Sequence, residues 1–267
     1  PKIINILKEL GKKSPDEISG LFKGVLAYNT FGDAEAKEQL SRLALDLAAT
    51  GNVPAEKKVG FMQTAIEELE KHLTRFPYDV RIRMSLVTLY SRSAFIDANY
   101  VLKARPHLEE LLRQAPNRQQ TYFAIAENYL LTGQFNEALT ALKKAVDLAP
   151  NYFDAQSHLA LIAAYADNDD IVNQALEKSQ EIAPGNLDPF LRVAGAYLKI
   201  QKFGKASEVY KRIIVLDPNN AEYRANAAAL YLQLGFKKEA IAAAKKAAEL
   251  DPANYSKLTE DFLKGIK

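Results

Sequence analysis

Cysteine is missing from all 267 residues, which removes disulfides and thiolate metal sites. Because reducing and oxidising compartments both tolerate such a chain, location stays open. Histidine is scarce, with only His72, His107 and His158 present. Each stands alone on a helical stretch without a second ligand at a metal-binding spacing, so no metal and no cofactor is expected. His158 has Asp154 one turn back and reads as a surface or groove histidine. An excess of one charge is also missing: 35 basic and 33 acidic side chains leave +2, giving no general attraction to nucleic acid or an anionic membrane. The longest apolar run, Leu159 to Ala166, falls far short of the roughly 18 to 20 residues of a spanning helix, so no membrane insertion by this segment is expected. No glycine-rich phosphate loop, nucleophile elbow or paired-carboxylate arrangement occurs, and no catalytic residue is assigned. Asp167-Asn168-Asp169-Asp170 lacks the glycine and distal glutamate of a calcium loop and reads as a polar turn.

What is present is a ladder of prolines. Pro116, Pro150, Pro184, Pro218 and Pro252 follow one another at intervals of 34 residues. A fixed period of this length marks stacked helix-turn-helix units, each burying its apolar face against its neighbours. Counting from the ladder, Tyr90, Tyr129, Tyr197 and Tyr231 share one register, with Ala163 in the odd repeat. Three residues earlier come Val87, Ala126, Ala160, Ala194 and Ala228. Small and aromatic residues at that spacing make one helix face, the small one allowing close helix approach. In the second helix, Ala104, Ala138, Val172, Ala206 and Ala240 recur, then Leu108, Leu142, Leu176, Tyr210 and Ala244, then Leu111, Ala145, Ser179, Ile213 and Ala247.

Ahead of the ladder, helical patches are predicted over 2–10 and from Ser14 to about Tyr28, the second opened by an N-cap and a first-turn proline. Asp33 can cap the next helix, which Gly51 and Pro54 stop, and another runs from about Ala55 to Arg75 until Pro77. Behind the ladder, Leu258, Phe262, Leu263 and Ile266 form a stripe predicted to cap the array's last apolar edge. Lys237, Lys238, Lys245 and Lys246 read as a solvated helix face. The chain starts at Pro1 without an initiator Met, which fits either Met removal or, as preferred here, an excised piece of something longer.

The stretch Tyr122 to Pro150, with Ile125-Ala126, Tyr129, Gly133, Phe135, Ala138, Leu142, Ala145 and Pro150, resembles the tetratricopeptide repeat family. The resemblance implies an all-α fold, a right-handed superhelical solenoid of antiparallel helix pairs. Its units fall at 80–118, 119–152, 153–186, 187–220 and 221–254, after an N-terminal helical region over 1–79 with a stretched unit and before a capping helix over 255–267. The unit from 153 departs most, with Asp167 where a glycine is usual, which puts its turn in question. The 39-residue unit carries extra residues around Phe95 to Val101, either a longer first helix or a lengthened turn.

The family's first helices line a concave groove that binds peptides or helices, and this implies a noncatalytic protein-interaction scaffold with a protein or peptide partner. The candidate peptide-binding residues are Arg81 and Met84, then Gln120, Phe123, Glu127 and Leu131, then Asp154, Ser157 and Tyr165. Asp188, Leu191 and Lys199 follow, and finally Glu222 and Gln233. Members that grip carboxyl-terminal tails use Lys, Asn and Arg here, whereas most matching positions are Phe123, Ser157, His158, Leu191 and Ala225; only Arg192 and Asn226 are compatible, so a carboxylate clamp is not expected. The segment Tyr28 to Leu40, followed by these repeats, is also similar to the soluble tail of bacterial O-antigen ligase or polymerase-like membrane proteins. That alternative would tether the chain to the bacterial inner membrane through a preceding segment; otherwise a cytoplasmic setting is equally open. RNA binding is disfavoured by Asp154, Asp188 and Glu222, which would repel phosphates.

Overall fold

The computed structural model describes residues 33–50 and 53–266, together with Glu17, Gly20 to Phe22 and Gly24. The helical patches expected over 2–10 and 14–28 lie almost wholly outside the described residues. Among the described residues all regular structure is helical. The helices are α1 (Asp33–Ala49), α2 (Ala55–Arg75), α3 (Val80–Arg92), α4 (Asn99–Gln114), α5 (Gln119–Leu131), α6 (Phe135–Leu148), α7 (Phe153–Tyr165), α8 (Asp169–Ile182), α9 (Asp188–Lys199), α10 (Phe203–Leu216), α11 (Ala221–Gln233), α12 (Lys237–Leu250) and α13 (Pro252–Gly265). The chain divides into two compact units, Pro1–Gln134 and Phe135–Lys267.

The prolines end helices for a local reason. Proline's ring crowds the residue before it out of the helical region, and that residue is extended after α4, α8, α10 and α12. Ala115, Ala183, Asp217 and Asp251 have φ between −142° and −133°, each with its N–H donated back to the fourth preceding carbonyl. Side-chain caps then restart the chain by satisfying orphan amides of a first turn. Asp79 accepts from the amides of Arg81 and Ile82, Asn168 from Ile171, Asn220 from Tyr223 and Asp251 from Asn254.

In the first unit, α1 pairs with α2 and α3 with α4, while α1, α3 and α5 lie side by side. Leu40, Met62, Leu69, Ile82, Leu86, Leu89 and Leu111 are each sealed from solvent there. Burying one such side chain stabilises by about 1.5–3 kcal/mol. The 39-residue unit uses its extra length in the turn, since α3 stops at Arg92 and α4 begins at Asn99. Buried Asn128 of α5 fastens the start of α4, just after that turn, by donating from Nδ2 to the Val101 carbonyl at 2.6 Å.

In the second unit, α7 pairs with α8, α9 with α10 and α11 with α12, and α7 lies beside α9. The registers counted from the prolines are buried: Ala160 and Ala194 are fully covered, as are Val193, Leu176 and Ile213. Alanine at the helix contact lets the backbones approach, and the covered leucine and isoleucine fill the space beside it. The turn of the 153–186 unit keeps the repeat's geometry without glycine. Asp167 has φ 56°, in the same left-handed region as Gly133 at 73° and Gly235 at 80°, and Gln201 stands at 60°. Lys202 and Lys205 reach Asp167 at 3.1 and 2.8 Å, and their hydrogen bonds hold its carboxyl below the usual carboxylate range.

The last helix differs from expectation in rotation. α13 packs on α12, but its inward face is centred on Thr259, which is buried and donates to the Ala244 carbonyl at 3.1 Å. Phe262, Leu263 and Ile266 are half-buried and stand three, four and seven residues on, the positions that share a helix face with Thr259. Leu258, expected in the buried stripe, is one residue off that face and 62% exposed.

Replacing Gln201 by Gly should remove left-handed strain at the cost of unfolded-state freedom, a net gain of about 0.5–1 kcal/mol. A thermal melt should show a Tm rise of a few degrees; a fall would mean that the Gln201 side chain outweighs the strain. Ala194→Trp should instead overpack the sealed contact, costing on the order of 1–3 kcal/mol or more in the same melt.

Candidate functional site

The first unit presents a wall of first helices α1, α3 and α5. Arg81, exposed at the start of α3, lies 3.5 Å from Glu38 and 3.9 Å from Glu35 of α1. At the far end of α3, Arg92 meets Glu127 of α5 at 3.7 Å. Between them Met84 packs against the unit's core, and Thr88 is half-buried with its hydroxyl donated to the Met84 carbonyl. On α5, Gln120 is exposed, Phe123 half-buried and Leu131 46% exposed. This face therefore combines accessible apolar groups with arginines that already have carboxylate partners.

In the second unit, α7 and α9 form the corresponding wall. The Tyr165 ring stacks on Phe135 of α6 with centroids 5.5 Å apart, and the Lys199 ammonium lies 5.8 Å from the Tyr165 centroid. The structure thus brings together two of the residues expected from the repeat pattern, Tyr165 and Lys199, across neighbouring first helices. Leu191 is half-buried beside exposed Arg192, whose Nε donates to Asp188 at 2.7 Å. Asp154 accepts from the Tyr152 hydroxyl at 2.9 Å, and that bond to a carboxylate raises the Tyr152 phenol above its usual value. Glu222 and Gln233 are exposed on α11.

Ser157 sits differently from the other candidates: it is 2% exposed, and its Oγ is buried without a hydrogen-bond partner. The residues compatible with a carboxylate clamp are both engaged, Arg192 with Asp188 and Asn226 with the Tyr210 hydroxyl. His158 bonds through Nδ1 to the backbone carbonyl of Asp154 at 2.7 Å, a turn-to-turn tie on one helix. Among the described residues there is no group of three or more His, Cys, Asp or Glu able to hold a metal ion, and no helix long and apolar enough to cross a membrane.

The repeat pattern did not point to a cleft of about 750 Å³ on the second-helix side of this unit, lined by α8 and α10 with Phe190 of α9. Arg212 covers the Phe190 ring at 5.0 Å and donates to Asn173 at 2.8 Å, while Val215 stands 78% exposed at the edge. The signal was the four-residue apolar run Ile213 to Leu216, too long for one helix face, so some of it had to point outward.

Residues 119–152 and 221–254 each match the tetratricopeptide repeat profile. The TPR repeat-containing protein YpiA of Bacillus subtilis (strain 168) is 24% identical over 210 residues, 78% of this chain and 48% of that protein. The chain thus spans about half the length of this curated relative. A tetratricopeptide repeat protein from Parabacteroides merdae superposes with a TM-score of 0.61 at 14% identity, covering 98% of this chain and 96% of the other. YrrB, described as a TPR protein with an unusual peptide-binding site, gives a TM-score of 0.49 at 16% identity over 74% of this chain and 99% of its own.

Ser157→Ala should stabilise the fold or leave it unchanged, by up to about 1 kcal/mol, because it removes a buried hydroxyl without a partner. Denaturant titration checks this, and a loss above that size would show that the hydroxyl is satisfied in solution.

Proposed function

We propose that this chain, two stretches of which match the tetratricopeptide repeat, is a noncatalytic interaction scaffold whose first-helix faces receive a peptide or helix of a partner protein. The observation that carries this reading is the surface chemistry of those faces. Phe123 and Tyr165 offer aromatic area that is only half-buried, and the core does not need it completely. Partly exposed aromatics at a helical surface are the residue type most often found to dominate partner binding. Around them, Arg81, Arg92 and Arg192 are already paired with carboxylates of the same face. Such pairs at the edge of an interface contribute modestly to affinity while setting the register of the partner.

The same pairing bears on ligand class. A terminal carboxylate binding at Arg192 would have to displace Asp188, which accepts its hydrogen bond in an i, i+4 pair on α9. A mainly apolar segment of a protein, read by side-chain contact, suits these faces better than an anionic tail. Nucleic acid is disfavoured because Asp154 and Glu222 stand exposed on the first helices.

The test uses the intact chain immobilised to enrich partners from an extract, with Phe123→Ala and Tyr165→Ala as separate variants and Val215→Glu, on the second-helix side, as a control. Capture should fall about tenfold or more for at least one aromatic variant, the loss typical of a central contact, with helical circular dichroism preserved and Val215→Glu unaffected. Undiminished capture by both aromatic variants would remove the reading.

A further inference from the structure

Three polar contacts meet in the first unit where α2, α3 and α4 come together. Arg83 of α3 is 8% exposed. Its Nη2 donates to the Pro77 carbonyl in the turn between α2 and α3, and its Nη1 lies 3.0 Å from Nδ1 of His107 on α4. The Tyr90 ring of α3 lies 5.9 Å from the His107 ring and stacks on Tyr100 of α4 at 5.5 Å, and its hydroxyl donates to Glu70 of α2. One arginine thus clasps the α2–α3 turn to α4, and one imidazole completes the clasp.

The chemistry fixes the state of that imidazole. Guanidinium is a donor only, so Nδ1 must accept, which requires neutral His107 with its proton on Nε2. Protonation would remove the accepting lone pair and set a second cation 3.0 Å from the first. We propose that His107 and Arg83 form a proton-released clasp, closed when His107 is neutral and opened when it is protonated, which frees α4 and the α2–α3 turn at mildly acid pH.

The charged surroundings do not offset this. From α2, Glu70 favours the cationic imidazole but is engaged by the Tyr90 hydroxyl, and His72 is turned to Asp79 at 3.0 Å. From α3, the opposing group is Arg83 itself. On α4, Glu110 is held by Arg113 and Gln114. From α5, Asn128 reaches Val101 and Arg105 of α4, the Tyr129 ring lies 5.7 Å from the Arg105 guanidinium, and Glu127 is turned to Arg92. Arg105 is two residues before His107, about 200° around the helix and so on the opposite side. Burial first, then Arg83, hold the His107 pKa below its ordinary value. The unfolded chain therefore takes up the proton first as pH falls. The clasp's stability is complete above the unfolded value of about 6.5 and is lost as pH drops below it toward the depressed folded value. The helix it frees backs α3, which carries Arg81 and Met84 of the candidate face, so acid would loosen that wall as well.

The experiment is hydrogen exchange on the full chain at pH 7.5 and 5.5, corrected for intrinsic rates, with nitrogen NMR of the histidine rings. Protection over 99–114 should fall about tenfold for each pKa unit by which folding depresses His107, relative to α7–α11. His107→Gln keeps an acceptor oxygen and gains no proton, so its loss should vanish, whereas His158→Gln should behave as the parent chain. At neutral pH the ring spectrum should show the Nε2–H tautomer, a readout that needs no variant to fold. Equal loss in His107→Gln, no loss in the parent chain, or an Nδ1–H tautomer would each overturn the proposal.

Discussion

Close approach of helix backbones at one covered residue per first helix, alanine in α5, α7, α9 and α11 and Val87 in α3, is the constraint on which the rest of the structure depends. Ala160 and Ala194 are wholly covered, and Ala126 and Ala228 nearly so. A larger side chain there would separate the helices and strip partner atoms from the leucines and isoleucines that flank the contact. Proline then sets where each pair ends, and a cap or left-handed turn sets where the next begins. Each repeat therefore needs only its neighbours, and the solenoid's stability is a sum of local contacts. The lengthened 93–98 turn is held by its own backbone bonds, and the buried bond from Asn128 to Val101 fastens the start of the helix that follows it.

That economy leaves the first-helix surfaces free to vary. Phe123 and Leu191 lie one turn before the sealed Ala126 and Ala194, at the edge of the same face, while Tyr165 and the paired arginines lie further round, and each of them stays half-buried or exposed. The two faces so formed, one in each unit, carry partly exposed apolar groups and internally paired charge, the chemistry on which the proposed recognition of another protein rests. In the first unit the same helices are backed by a polar seam, where Arg83, His107, Tyr90 and Glu70 replace part of the apolar packing. Buried and half-buried polar groups of this kind hold a single geometry strongly while their protonation states match, and weakly once they do not.

The periodic part of the fold was legible in the sequence because its signals are redundant. Proline spacing, the alanine register and the second-helix stripe all measure one period, and every second-helix position counted from the prolines is buried. Legibility ended where a single residue carried the information. Asp167 adopts the turn conformation usual for glycine, a region aspartate visits more readily than most residues, and its carboxylate is engaged by two lysines that lie a repeat away. Ser157 belongs by count to the candidate face yet is covered. In α13 a threonine takes the centre of the buried face because the Ala244 carbonyl is within reach, which no hydropathy pattern can report.

Helix identity, helix ends and the sealed registers follow from the sequence by itself, since they depend on backbone sterics and on side chains three or four residues apart. Tertiary structure alone decided which partly apolar positions stay open, that Arg81 and Arg92 are paired across neighbouring helices, and that Arg83 and His107, 24 residues apart, share a hydrogen bond. Those outcomes depend on distances between separate helices, and such distances are set only when the helices pack.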